Sequence, residues 1–186
     1  MTTLPEGAVA HLLTVAARQS QNPEASRAND IKRDIGRVLA LIGPAAVPEL
    51  LMRLHDQNLA VAEVATVALA QIRPLPEHAV DAVVRMLQSA DPQRRIIAAR
   101  AVGRIGTDAM DAVPLLIGLL SDEEAMVRTS ATMALGSFGP AAKDAVPQLI
   151  KFVAEDPRNF YAITTLGAIG PAAKDAVPHI LKILEI

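Results

Sequence analysis

Apolar residues recur along the chain with the three- and four-residue spacing of an amphipathic helix. Two neighbouring segments show the pattern, with apolar residues at Leu115, Leu116, Leu119 and Leu120, and then at Val127, Ala131, Leu135 and Phe138. No segment alternates apolar and polar residues with the period of two that is typical of a half-buried strand. The pattern therefore predicts an all-α chain built from short helices.

A longer repeat organises these helices. The tripeptide AVP recurs with its proline at Pro48, Pro114, Pro147 and Pro178, and the first spacing is twice the second. The skipped repeat falls at Asp81, where the flanking apolar residues are kept but the proline is not. A period of roughly 33 residues indicates stacked helical repeats, each of which buries its apolar face against its neighbours.

Local signals predict where the helices of each repeat begin and end. We call the first helix of a repeat the A helix and the second the B helix. Asn22, Asp91 and Asp156 each precede a proline, which predicts an N-cap for a B helix. Asp144 and Asp175 are predicted to cap A helices. A glycine that recurs at Gly43, Gly106, Gly139 and Gly170 is predicted to end each B helix with a positive φ.

These signals predict one array over residues 1–186, with five A–B pairs and one further A helix. The pairs are predicted at about 5–42, 44–73, 76–106, 108–139 and 141–170, and the extra helix at about 172–186. The core of a B helix is predicted on one stripe, counted back from the final glycine. In one repeat this stripe consists of Phe138, Leu135, Ala134, Ala131, Ser130 and Val127.

The string D-x5-R-x2-A-x3-LG-x2-G occurs at Asp122, Arg128, Ala131, Leu135, Gly136 and Gly139. It resembles the short HEAT-like repeat of phycobilisome bilin lyases. The resemblance implies a right-handed α-solenoid whose B helices line a concave binding face. It also implies that Asp122 and Arg128 belong to a polar ladder between repeats. Arg95 repeats Arg128 but has Ser89 in place of the aspartate, so the ladder is predicted to be discontinuous.

Composition narrows the classes of function. The chain has 18 Lys and Arg against 20 Asp and Glu, so it has no overall attraction to nucleic acid. It has no cysteine, and its histidines His11, His55, His78 and His179 form no HExxH pattern. We therefore expect no catalytic residue, no metal site and no cofactor. No run of about 18 apolar residues and no signal peptide is evident, which predicts a cytoplasmic protein without membrane association.

B-helix positions outside the predicted core are expected to face the concave side. They include Arg33, Arg37, Arg95, Ile96, Arg100, Arg128, Met133 and Phe160. This mixture predicts a noncatalytic scaffold that binds an acidic or amphipathic protein or peptide. The arginines would hold carboxylates, and Ile96, Met133 and Phe160 would be apolar anchors. The alternative interpretation is that these are ordinary solvent-facing side chains.

Two other functions stay open. The resemblance implies an enzyme subunit of the bilin lyase type, and the concave arginines are compatible with nucleic-acid binding. Three Phe, one Tyr and no Trp leave few aromatic rings to stack a tetrapyrrole or bases.

The last A helix has more apolar residues than one packed stripe needs, including Val177, Leu181, Ile183 and Ile186. This excess predicts an uncapped end: either the chain continues in a longer protein, or this surface packs against another molecule, for example in a homodimer through the C-terminal helix. Fraying of the helix end is the alternative.

Overall fold

The computed structural model describes residues 7–19, 25–156 and 159–184. Within these ranges the chain forms eleven α-helices, joined by turns and 3₁₀ segments, and no strand. The helices are α1 (Ala8–Gln19), α2 (Ala25–Ile42), α3 (Val47–Arg53), α4 (Leu59–Leu69), α5 (Glu77–Arg85), α6 (Pro92–Ile105), α7 (Val113–Leu119), α8 (Ala125–Gly136), α9 (Val146–Glu155), α10 (Phe160–Ile169) and α11 (Val177–Leu184). Odd-numbered helices are A helices and even-numbered helices are B helices, so the predicted all-α class and helix order are confirmed.

Contacts divide the chain into two compact units, Met1–Val83 and Val84–Ile186. In the first unit α2 packs against α4, and α1 contacts both. In the second unit α8 packs against α6 and α10, while α7 and α9 contact the B helices that follow them. Neighbouring B helices therefore stack directly within each unit. The single array over residues 1–186 stays a prediction.

Helix starts agree with the predictions only in part. The Asp91 carboxylate accepts a hydrogen bond of 2.9 Å from the Gln93 N–H and caps α6, as predicted. The prediction for Asp156 is wrong, because α10 begins at Phe160 and the Asn159 side chain accepts from the Ala162 N–H at 3.1 Å. Asn22 lies outside the described residues.

The predicted caps of two A helices are also wrong. Asp144 and Asp175 lie in the 3₁₀ segments Gly139–Ala145 and Gly170–Ala176, and α9 and α11 begin only after these segments. At the start of α9, Ala145 occupies the N-cap position and no side chain caps the helix. The 3₁₀ turns already lead the backbone into the helix, so the first turn of α9 needs no aspartate cap.

A glycine with positive φ directly follows α2, α6 and α10 as the repeat predicted, whereas α8 already ends at Gly136, three residues before Gly139. At Gly106, which follows α6, φ is 70° and ψ is −134°, and Gly170 has nearly the same angles. A side chain would be strained in this region of backbone space, which glycine alone occupies readily. The recurring glycine therefore lets the chain turn into the 3₁₀ segments that begin at Gly43, Gly106, Gly139 and Gly170.

The core is built almost entirely of aliphatic side chains. All six predicted core positions of the α8 repeat are buried, namely Val127, Ser130, Ala131, Ala134, Leu135 and Phe138. Leu135 is 0% exposed, and its repeat equivalents Leu39, Leu69, Val102 and Leu166 are at most 3% exposed. Burial extends beyond this stripe, however, to Ala99 in α6 and Thr132 in α8. Thr165 in α10 donates a hydrogen bond of 2.9 Å to the Thr132 carbonyl, so a neighbouring B helix covers this side of α8.

One stretch, Asp30–Arg53, is long and apolar enough to cross a membrane by length and composition alone, and 33% of its most apolar window is buried. The stretch is not one α-helix, because α2 ends at Ile42 and α3 begins at Val47 after the turn at Gly43. Leu39, Val47 and Leu50 are at most 3% exposed. Packing inside the first unit therefore accounts for part of its apolar character, and the membrane signal is weak.

Gly103 marks a close approach of two B helices. A Cβ atom at this position would lie 3.1 Å from the Cα of Ala134, whereas at Gly167, in the same register of α10, it would meet nothing within 4 Å. We expect Gly103→Val to lower the free energy of unfolding by about 1–3 kcal/mol through overpacking. The matched control Gly167→Val should change it by less than about 0.5 kcal/mol. Urea denaturation followed by circular dichroism measures both, and equal effects would contradict this packing.

Candidate functional site

Arg95 and Asp122 form an ion pair between neighbouring repeats. Arg95 Nη2 donates to Asp122 Oδ1 at 2.9 Å, and Arg95 Nε lies 2.8 Å from Oδ2, although this second contact is too bent for a hydrogen bond. Arg95 Nη1 donates to the carbonyls of Ser89 and Ala90 at 2.8 and 3.1 Å. The side chains of the pair are only 11% and 8% exposed. Arg95 is therefore committed to the fold, and its prediction as a partner-binding residue is wrong.

The ion pair also shifts the pKa values of both side chains. The hydrogen bond to Asp122 raises the pKa of the Arg95 guanidinium above its usual value despite burial. Burial alone would raise the pKa of the Asp122 carboxyl. Hydrogen bonds from Arg95 and from the Glu124 N–H outweigh burial and hold that pKa below its usual value. Both groups are therefore charged at neutral pH.

The polar ladder does not pair Asp122 with Arg128, the two charged residues of one motif. Asp122 binds Arg95 of the preceding repeat, whereas Arg128 Nη1 donates to the carbonyls of Asp122 and Glu123 at 2.8 and 2.9 Å. Arg95 and Arg128 thus hold the backbone of their own repeat in the same way. Lys32 and Glu63 make another contact between repeats, at 2.7 Å, in the first unit.

Ile96 is not an exposed anchor. It is only 5% exposed, because α6 packs against α8 and against the 3₁₀ segments Met86–Gln88 and Gly106–Ala112. The sequence prediction placed the buried residues of a B helix on one stripe, and it therefore underestimated the burial of a helix that has neighbours on several sides. Its assignment to the binding surface is therefore corrected.

Other predicted residues are accessible. In the second unit Arg100 is exposed, Met133 is 51% exposed and Phe160 is 68% exposed. In the first unit Arg33 and Arg37 are exposed, and each pairs with an aspartate three residues earlier, at 3.0 and 3.5 Å. The two groups lie in different units, so they are described as separate surfaces.

Sequence reasoning missed two exposed apolar side chains on the B helices of the second unit. Met126 is 53% exposed, and Tyr161 is 46% exposed with its ring 6.5 Å from that of Phe160 in an edge-to-face arrangement. Met126 lies two helical turns before Met133 in α8, which places both on one helix face. The seven-residue spacing of the two methionines could have indicated this shared face from the sequence. We call Arg100, Met126, Met133 and Phe160 the B-helix face of the second unit.

Two cavities flank the ladder residues. The larger, about 520 Å³, is lined by the Arg95–Asp122 pair and by mostly apolar side chains that include Pro114, Leu115 and Leu119. The smaller, about 180 Å³, is more polar and is lined by Arg128, Glu155, Asp156, Asn159 and Tyr161 among others. The second cavity places the free side of Arg128 beside polar groups of α9 and α10.

The histidines and the acidic residues do not converge. His11, His55, His78 and His179 are all exposed, and they lie on different A helices or at their ends. In the part of the chain that the structure describes, no group of three or more His, Asp or Glu residues is placed to hold a metal ion.

The last A helix is less covered than its repeat equivalents. Val177 in α11 is 52% exposed, whereas Val146 in α9 and Val113 in α7 are 6% and 7% exposed. Leu181 is 53% exposed. The predicted contribution of Ile186 lies outside the described residues, and the homodimer through this helix stays a prediction.

Comparisons with known proteins agree with this architecture. Residues 80–161 match the family described as HEAT repeats, and no curated protein matches the sequence. A solved chain of the complex of CpcE and CpcF of phycocyanin lyase from Nostoc sp. PCC7120 superimposes with a TM-score of 0.67 at 22% identity. The match covers 89% of this chain and 100% of that one.

Two engineered proteins have the same type of fold. Each gives a TM-score of 0.53, at 21% and 22% identity, over 93% and 92% of this chain and 85% and 51% of their own. At these identities the solved structures establish the fold alone. Together with the repeat motif, the helix order and the family match over residues 80–161, they show that this chain has an all-α solenoid fold built of HEAT-like repeats.

Proposed function

We propose that the chain is a noncatalytic scaffold that binds a protein or peptide along the B-helix face of its second unit. The observation that carries the proposal is the exposure of Met126, Met133 and Phe160 on neighbouring B helices whose other large apolar side chains are mostly buried. Arg100 and Met133 occupy the same register relative to the glycine that follows each helix. Phe160 lies one turn before Thr164, which holds this register in α10.

The chemistry of this face suits an amphipathic partner. Methionine and phenylalanine side chains supply adaptable apolar contacts, and Arg100 supplies a charge at their edge. Because Arg95 and Ile96 belong to the interior, the binding surface is smaller than the sequence predicted. It is centred on α8 and α10.

The test is a binding experiment with matched variants. A partner is captured from native lysate, identified by mass spectrometry and titrated against the purified chain. Met133→Ser with Phe160→Ser should weaken its binding at least tenfold, about 1.4 kcal/mol, because apolar anchors dominate such interfaces. Met52→Ser, on the A helix α3 where Met52 is 73% exposed, is the control and should leave binding unchanged. Equal affinities of a folded double variant and the wild type would refute this assignment.

A subunit of a bilin lyase is the second candidate, favoured by the fold shared with a chain of the CpcE and CpcF complex over that chain's whole length. Coexpression with a bilin pathway, followed by absorbance of the purified chain, separates the two candidates. Bound chromophore would favour the lyase role, and a colourless chain would favour the scaffold. Nucleic-acid binding has less support than the sequence suggested, because Arg95 is neutralised by Asp122.

A further inference from the structure

We propose that Arg128 is a docking site for a carboxylate of the partner, an inference that rests on the scaffold function above. The structure contains its own template for this interaction at Arg95, one repeat earlier. Arg95 holds two backbone carbonyls with Nη1 and donates to the Asp122 carboxylate with Nη2, while its Nε lies 2.8 Å from the second carboxylate oxygen. Arg128 holds the equivalent carbonyls, of Asp122 and Glu123, with its Nη1.

The clamp at Arg128 is only half occupied. No carboxylate of the described residues forms an ion pair with Arg128, and its hydrogen bonds are the two to the backbone. Glu155 stands at the same sequence distance after Arg128 as Asp122 does after Arg95. Yet Glu155 is exposed and is the last residue of α9, whereas Asp122 lies in the turn after α7. In the longer A helix, Glu155 therefore does not take the turn position from which Asp122 pairs with Arg95.

Arg128 is positioned for recognition in advance. Its two carbonyl bonds fix the guanidinium plane, so little further order is lost when a ligand binds. Its free side opens into the cavity of about 180 Å³, which Asn159 and Tyr161 also line. A planar guanidinium with two adjacent N–H groups matches the two oxygens of a carboxylate. This cavity has room for a small acidic side chain.

The surrounding charge favours a carboxylate over a phosphate. Glu155 and Asp156 both line the same cavity and are exposed, so two acidic side chains stand beside the single positive charge of Arg128. The attraction to Arg128 and the repulsion from the acids both double for a doubly charged phosphate, and because two acids oppose one guanidinium the added charge is disfavoured. A single negative charge on a partner aspartate or glutamate is therefore the ligand that this cavity accepts best.

The inference is tested on the full 186-residue chain by NMR titration of the arginine Nε–H signals with sodium acetate at constant ionic strength. The Arg128 signal should shift and saturate. The Arg95 signal is an internal control, because Asp122 already occupies its clamp, and it should stay in place. Sodium chloride should shift neither signal. A static Arg128 signal, or equal unsaturated shifts of both, would overturn the proposal.

Titrations of two variants and of a second anion test which chemical group Arg128 binds. Glu155→Gln removes a repelling charge without touching Arg128 and should tighten acetate binding. Arg128→Lys loses the planar pair of donors and should weaken acetate binding about tenfold or more, measured in the wild type and the variant through the backbone amide signals of Asn159 and Tyr161, which line the cavity. Inorganic phosphate should bind more weakly than acetate, and tighter binding of phosphate would overturn the carboxylate assignment.

The last experiment measures capture of the partner itself. Arg128→Lys should weaken capture of the partner, whereas unchanged capture would overturn the role of Arg128. That result would leave the scaffold function standing, because the scaffold is tested separately through Met133 and Phe160.

Discussion

Asp122→Ala is expected to lower the free energy of unfolding by about 3–5 kcal/mol, because it leaves the Arg95 charge buried without its counterion. The aspartate also accepts from the Glu124 N–H at 3.0 Å in the turn before α8, and that bond is lost as well. Urea denaturation followed by circular dichroism measures the loss. A change below about 1 kcal/mol, as for an exposed pair, would show that the pair is not buried in solution.

The double variant Arg95→Met with Asp122→Leu separates the cost of an unpaired charge from the value of the pair. Because it removes both charges together, it should recover most of the stability that Asp122→Ala loses.

The pH dependence of stability provides a second test of the Arg95–Asp122 pair. The folded-state pKa of Asp122 is depressed by its hydrogen bonds. Its contribution to stability is therefore present above the usual carboxyl pKa of about 4 and is lost as the pH falls through the lower folded value. Asp122→Asn should show a shallower loss of stability in this acidic range than the wild type.

Leu135→Ala is expected to lower the free energy of unfolding by about 2–5 kcal/mol. The side chain is 0% exposed and lies one helical turn before Gly139, a position that is apolar and buried in every B helix. Its truncation leaves a cavity in a core with few large side chains to fill it.

Met133 in the same helix offers the matched control, because its side chain is 51% exposed. Met133→Ala should change the free energy of unfolding by less than about 0.5 kcal/mol, as is usual for surface substitutions. Thermal or urea unfolding compares the two variants. If Met133→Ala cost as much as Leu135→Ala, the buried face of α8 would be assigned wrongly.

Much of the fold was predictable because its causes are local. The repeat period places each helix, and the glycine at Gly106 ends α6 since only glycine takes its backbone angles easily. Asp91 caps α6 through a bond to a residue two positions away. Local geometry of this kind depends on neighbours in sequence, and the same signals recur along the chain.

Two N-cap predictions were wrong although the residue type at each position was suitable for a cap. Asp144 has the right residue type for a cap, yet a 3₁₀ segment displaces the start of α9 beyond it. Asn159 caps α10 in place of Asp156. Competing capping residues stand close together in the chain, and the packing of the repeat selects among them.

The sequence by itself determined the helix order, the aliphatic core stripe and the glycine turns, because these depend on residue spacing and backbone freedom. Only the tertiary structure decided the roles of Arg95, Ile96 and Arg128. Arg95 meets a carboxylate of the next repeat, and Ile96 is covered by packing on several sides of α6. Arg128 meets no such acid among the described residues, because α9 extends through Glu155. Identical residues at equivalent repeat positions therefore differ in role, since burial and charge pairing depend on which helix packs alongside.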